Sequence, residues 1–299
     1  MRFHRAFSAI IVLAVVLAAR PAAAANLSDF INYSYSDSST FALQGLLHVP
    51  DEYASNPTTL RPLILFFHGS GESGTDNRAQ VNGNIDNLLA AAKARGAYLY
   101  APQTSIGWEN PILLTDAMTM IDRAIADRSV DPKRIYVTGL SLGGGAVWNF
   151  LNLFPDQVAA SVPISAVYPS ASFVPTNIVN EPIWAFTGRG DTNVPVSVTR
   201  GVINTLLTTA GLPLPTYTTN NFAPNQTLDF PPLDLHYGDF RGGHDIWTTV
   251  YNTPAMYDWM FSHGVVPEPS TLILVSIAIA SFGLTTLRRR ANIISLTQL

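Results

Sequence analysis

The side chain best placed to attack an electrophilic carbon is Ser141, in the run Gly139-Leu140-Ser141-Leu142-Gly143. A G-x-S-x-G run carries chemistry when a strand precedes it and a helix follows. Arg134-Ile135-Tyr136-Val137-Thr138 reads as a short strand, and Gly144 to Leu151 as a helix that ends before Pro155. The serine then occupies a sharp strand-to-helix turn, with glycines two before and two after leaving room for its backbone. Its hydroxyl lies beside the positive end of a helix dipole. The competing reading is a glycine-rich turn with a solvated serine. What separates the two is whether a base, an acid and oxyanion donors exist elsewhere.

A serine hydroxyl needs a base to take its proton, and the base needs an acid to orient it. The G-x-S-x-G turn resembles the nucleophile turn of α/β-hydrolases, and that resemblance implies the order acid, then histidine, after the serine. The chain has six histidines. His4 lies in an N-terminal apolar leader, and His48 and His68 precede the serine. His236 falls inside an expected strand and His263 at the end of the last helix. His244 is left, in the flexible turn Arg241-Gly242-Gly243-His244-Asp245. Of the downstream acids, Asp191 follows the strand Ile183 to Phe186 in Thr187-Gly188-Arg189-Gly190-Asp191-Thr192. It sits on a turn that opens at the strand's carboxyl end. Asp229 and Asp234 lie in an irregular stretch, and Asp245 directly follows the base. The Arg-Gly-Asp tripeptide also matches an adhesion motif, but short tripeptides recur by chance.

Donors for a negative oxygen are expected in His68-Gly69-Ser70-Gly71-Glu72-Ser73-Gly74, directly after an apolar strand. The expected pair is the backbone N–H of Ser70 and that of Leu142, the residue after the serine. A phosphate cradle is the weaker reading of this loop, since no Gly-Lys-Ser/Thr follows. Trp108, Glu72 and Gln103 are candidates for substrate contact, Trp108 by stacking on a sugar or aromatic group. Each has a plainer alternative, in packing or loop fixing. Trp148 reads as core, and Trp247 stays open between packing and site. With no cysteine and no paired histidines at ligand spacing, neither a metal nor a cofactor is expected.

The elements that must hold these residues alternate between strand and helix. Strand patterns occur at residues 41–49, 63–67, 97–100, 135–138, 160–164, 183–186 and 235–237. The run Leu63 to Phe67 is continuously apolar, as a strand buried on both faces should be. Between strands, Leu113, Leu114, Ala117, Met118, Ile121, Ala124 and Ile125 repeat at three and four, giving a helix with one buried face. This predicts a single α/β domain over residues 26–264, a mostly parallel central sheet with helices on both faces. Residues 213–232, rich in proline, asparagine and threonine, are expected to form a surface excursion.

Both ends stand outside that domain. Residues 1–25 carry early arginines, an apolar stretch and a small-residue end, the pattern of a secretory signal peptide. Near the other terminus, the 16 residues Leu272 to Leu287 are apolar and Arg288-Arg289-Arg290 follows. As a helix they span about 24 Å at roughly 1.5 Å per residue, short of the roughly 30 Å hydrocarbon core. The arginines would hold that end on the cytoplasmic side. Without residues 1–25 and 271–299, 11 basic residues face 21 acidic ones, a formal charge of −10. That balance disfavours nucleic acid and anionic membrane surfaces as partners.

Several stretches together resemble a known family: Leu65 to Asn77, Ala101-Pro102-Gln103, Val130 to Gly144, Pro182 to Gly188 and Gly243-His244-Asp245-Ile246-Trp247. The chain is similar to α/β-hydrolases of the predicted peptidase or esterase group, related to polyhydroxyalkanoate depolymerases and feruloyl or acetylxylan esterases. The resemblance covers residues 62–262 and implies a Ser141-Asp191-His244 triad; the long 213–232 excursion departs from it. Val266-Pro267-Glu268-Pro269-Ser270, with the apolar run and arginines after it, resembles the PEP-CTERM sorting signal, here taken as residues 265–299. That implies cleavage by an exosortase after passage through the secretion machinery; the alternative is an ordinary membrane anchor. The expectation is an exported serine hydrolase that cleaves small-molecule or polymeric esters and is held at the inner membrane before processing. The alternatives are a serine peptidase of the same fold, or a surface or matrix protein that keeps the fold for binding alone.

Overall fold

The computed structural model of the chain describes residues 27–36 and 43–265. The expected signal peptide and the apolar C-terminal tail lie outside the described residues, as do Phe41 and Ala42 of the first expected strand.

The strands are β1 (Ile31–Asn32), β2 (Gln44–His48), β3 (Arg61–Phe67), β4 (Tyr98–Gln103), β5 (Val130–Leu140), β6 (Ala160–Ile164), β7 (Ile183–Gly188), β8 (Gln226–Asp229) and β9 (Leu235–Phe240). They form one sheet in the order β1-β2-β4-β3-β5-β6-β7-β9-β8. From β4 across to β9 all neighbours are parallel. β1, β2 and β8 are antiparallel additions at the two edges. The helices are α1 (Asp86–Ala94), α2 (Pro111–Arg128), α3 (Leu142–Leu153), α4 (Val196–Thr209), α5 (Trp247–Tyr251) and α6 (Pro254–Ser262).

Alternation along β3 shows how the sheet divides the core. Leu63, Leu65 and Phe67 face the side covered by α2, α3 and α4, with Leu113, Val147 and Ile203. Ile64 and Phe66 face the side covered by α1, α5 and α6, with Leu88, Tyr251 and Met260. A strand covered on both faces must be apolar at every position, which is why Leu63 to Phe67 carries no polar side chain.

One expectation needs correction. The 213–232 excursion is not structureless to its end, because Gln226-Thr227-Leu228-Asp229 pairs antiparallel with β9 as an edge strand. Tertiary pairing supplies what the local sequence lacks.

Candidate active site

β3 and β5 run side by side, and in their register Phe67 lies opposite Gly139. The segments that leave their carboxyl ends, Gly69–Ser70 and Ser141–Leu142, therefore emerge together. Close approach is possible because residue 143 is glycine. A Cβ there would meet the Phe67 carbonyl oxygen at 2.0 Å and that of His68 at 2.5 Å.

Ser141 turns the chain from β5 into α3 with φ 55° and ψ −116°. A non-glycine residue rarely adopts this conformation, at a cost of order 1–3 kcal/mol. The turn is held from three sides. The Ser141 N–H donates to the Ile164 carbonyl at 2.9 Å, and its own carbonyl accepts from Gly145 (3.1 Å) and Val167 (3.2 Å). Leu142 opens α3, so its N–H is one of the first-turn donors without an intrahelical acceptor. Ser70 opens a 3-10 turn, Ser70–Glu72, after β3.

The Ser141 Oγ lies 2.8 Å from His244 Nε2, and His244 Nδ1 lies 2.7 Å from Asp191 Oδ2. The Asp191 carboxylate is fully buried, and its other oxygen accepts the N–H groups of Asn193 (2.9 Å) and Val194 (2.8 Å). The three residues come from the ends of β5, β7 and β9, far apart in sequence and close in space. Backbone pairing fixes the last two against each other: Arg189 N–H donates to the Phe240 carbonyl and Gly190 N–H to the Gly242 carbonyl. Gly188 makes that contact possible, since a Cβ on it would stand 2.0 Å from the Gly243 carbonyl oxygen.

Two residues that sequence reasoning passed over support this arrangement. Ser165, fully buried at the end of β6 with φ 44°, donates its hydroxyl to the His244 carbonyl at 2.8 Å. No motif flags it; its only mark is a left-handed backbone at a non-glycine residue. His68 accepts the Thr104 N–H on Nε2 at 3.2 Å, so its hydrogen sits on Nδ1 and is donated to the Gly69 carbonyl at 2.6 Å. Burial holds this imidazole below its ordinary pKa. A neutral His68 thus ties the loop after β3 to the loop after β4.

The secondary candidates fall differently from expectation. Trp108 is 1% exposed, packed on Phe67 and His68, with its indole N–H donated to the His68 carbonyl at 3.1 Å. With no free face to offer, it is a core residue rather than a stacking platform. Gln103 is equally enclosed. Its amide donates to the Glu72 carbonyl and to Asp76, and accepts the Asn77 N–H, so it fixes the loop. Glu72 folds back on its own turn. Burial pushes its carboxyl above the ordinary range, opposed by hydrogen bonds from its own N–H, the Asn84 amide and the Gly69 N–H. Trp148 is core, as expected. The arginine of the Arg-Gly-Asp tripeptide is buried: Arg189 donates to the carbonyls of Asp239, Ala223 and Pro224. The tripeptide is therefore not presented as a motif, and Arg189 fastens the excursion to the turn that carries Asp191. Among the described residues no group of three or more potential ligands is arranged to hold a metal ion.

Residues 104–216 match the dienelactone hydrolase family, and residues 265–290 match the PEP-CTERM protein-sorting motif. Over 138 residues the chain is 28% identical to poly(3-hydroxyalkanoate) depolymerase C of Paucimonas lemoignei, which covers 41% of this chain and 31% of that protein. Among solved structures, a thermostable esterase superposes with a TM-score of 0.65 at 27% identity, over 80% of this chain and 64% of the other. The chain has the α/β-hydrolase fold. A fluorophosphonate-binding serine hydrolase of Staphylococcus aureus shares that fold at 13% identity, with a TM-score of 0.55 over 77% of this chain and 98% of the other. The chain thus spans under a third of the depolymerase's length and under two thirds of the thermostable esterase's. No helix among its described residues is long and apolar enough to cross a membrane. The tail after Val265, where a short span is expected from sequence, lies outside them.

Proposed function

We propose that this α/β-hydrolase is a carboxylic ester hydrolase that works through an acyl-enzyme on Ser141. The reading rests chiefly on the unbroken chain of hydrogen bonds from Ser141 through His244 to Asp191, at 2.8 and 2.7 Å. With Asp191 accepting at Nδ1–H, His244 keeps a lone pair on Nε2, the nitrogen facing the serine. Nε2 takes the hydroxyl proton as Oγ attacks the ester carbonyl. The tetrahedral oxyanion is met by the backbone N–H groups of Ser70 and Leu142, beside the positive end of α3. Collapse expels the alcohol, protonated by His244. A water that loses its proton to the same histidine then frees the acid and restores the serine. Esters are favoured over amides because an amine leaving group demands more exact protonation. Resemblance to the depolymerase and the thermostable esterase supports the same choice.

The test is a fluorophosphonate probe together with p-nitrophenyl ester hydrolysis, on wild type and Ser141→Ala. The wild type should label and turn over; the variant should stay folded, fail to label and lose roughly 10⁴-fold or more in kcat. A folded variant that keeps most of its activity would remove the serine from the mechanism. A panel of longer-chain, feruloyl, acetylxylan and polyhydroxybutyrate esters then assigns the substrate.

The sorting motif supports export. We propose a mature chain that begins near Asn26 and ends near Pro269, after removal of the leader and cleavage by an exosortase.

A further inference from the structure

Three segments are tied together beside His244: the turn Ser70–Glu72, the loop before α1, and the start of α5. One side chain joins all three. Asn84 donates Nδ2–H to Glu72 Oε1 at 2.5 Å and accepts the Trp247 indole N–H on Oδ1 at 3.1 Å. The Trp247 ring in turn meets the His244 ring edge to face, with centroids 5.6 Å apart and planes at 90°. The orientation of the amide is set by chemistry, because an indole only donates and an ionised carboxylate only accepts. Turned over, the amide would set oxygen against oxygen and N–H against N–H. The Glu72 carboxylate is folded back on its own turn, accepting its own N–H and that of Gly69, and its backbone carbonyl is held by Gln103 Nε2 at 3.1 Å.

We propose that Asn84 is a positioning residue for the proposed ester hydrolysis, linking the oxyanion turn to His244 through a carboxylate–amide–indole relay. The inference rests on the triad reading of the site. Neither Asn84 nor Trp247 touches the reacting atoms in this scheme; they fix the distance between the donor that receives the oxyanion and the imidazole that moves the proton. Both must be correct in the transition state, while ground-state binding of an ester asks less of either. Loss of the relay should therefore lower kcat and leave KM nearly unchanged. The asparagine amide carries its donor and its acceptor on separate atoms, one for each partner. Aspartate has its shape but presents a second carboxylate to Glu72 and no donor.

The experiment is steady-state kinetics on p-nitrophenyl acetate for Asn84→Ala, Asn84→Asp, Trp247→Phe and the Asn84→Ala/Trp247→Phe pair, each checked for folding by its melting curve. Ser141→Ala serves as the reference. Each single variant is expected to lose about ten- to a hundredfold in kcat, with KM within about twofold of wild type. Asn84→Asp should lose the most. The double variant should be no worse than the poorer single one, because both act through one relay. Trp247→Phe keeps an aromatic ring against His244 while removing the N–H with the rest of the indole, so it guards against a merely unfolded Asn84 variant. Unchanged kcat in folded Asn84→Ala, a loss confined to KM, or multiplying losses in the double variant would overturn the relay while Ser141→Ala stays inactive. An active Ser141→Ala would overturn the triad reading and the relay with it.

Discussion

Asp191→Asn replaces one carboxylate oxygen with an NH₂ group, and the surroundings decide which way the new amide turns. Asp191 Oδ1 accepts two backbone N–H groups, from Asn193 at 2.9 Å and Val194 at 2.8 Å. An asparagine must keep its carbonyl oxygen there. Aiming NH₂ at those donors would leave buried groups unsatisfied, at about 1–3 kcal/mol each. The NH₂ therefore takes the place of Oδ2, where His244 Nδ1 lies 2.7 Å away. A donor in that place requires a lone pair on Nδ1, so the imidazole carries its hydrogen on Nε2. Nε2 is the nitrogen 2.8 Å from Ser141 Oγ, and once protonated it cannot accept the serine's proton. The expected loss in kcat is roughly 10⁴-fold, which is about 5.4 kcal/mol of activation at about 1.36 kcal/mol per tenfold. Stability should change little, because both backbone hydrogen bonds survive. Initial rates on a p-nitrophenyl ester and a melting curve measure both. A folded Asp191→Asn enzyme with kcat within about tenfold of wild type would refute the tautomer argument.

Two further predictions concern stability and processing. Burial, with Asp156 nearby, pushes the Glu181 carboxyl from 4.5 up to about 7. A folded pKa raised in this way means that acidic conditions favour the fold and that the gain is lost as pH rises from 4.5 through about 7. Glu181→Gln should therefore match wild type near pH 4 and melt higher near pH 8; an equal difference at both pH values would contradict the assignment. For processing, intact-mass measurement on protein from a host that carries an exosortase should give a chain from near Asn26 to near Pro269. A mass that still includes residues 272–299 would indicate a plain anchor.

The parallel centre of the sheet could be read from sequence because its strands are buried on both faces and advertise themselves as apolar runs, Leu63 to Phe67 most clearly. The edges could not. Gln226 to Asp229 carries a single apolar residue, Leu228, among three polar ones near prolines, and only its pairing with β9 makes it a strand. Ser141, His244 and Asp191 were nameable because each lies on a short turn at a strand end, where composition reports position. Trp108 misled for a physical reason. A tryptophan on a loop beyond a strand end signals exposure only if the loop does not fold inward, and this one turns its indole N–H to the His68 carbonyl. Ser165, by one side-chain hydrogen bond, and Asn84, by two, join segments distant in sequence, and no local pattern encodes such contacts.

The last described residue has its own consequence. Val265 donates its N–H to the Lys133 carbonyl at 2.8 Å. Lys133 lies near the beginning of the strand whose far end delivers Ser141, eight residues on, about 26 Å at roughly 3.3 Å per residue. The chain thus leaves the domain on the side opposite the serine. A molecule held by that terminus, whether to a lipid, a sugar or a neighbouring protein, would hold Ser141 outward like a tool gripped by the handle. Attachment and turnover would then occupy opposite poles, and an esterified polymer too large to diffuse could still reach the working end.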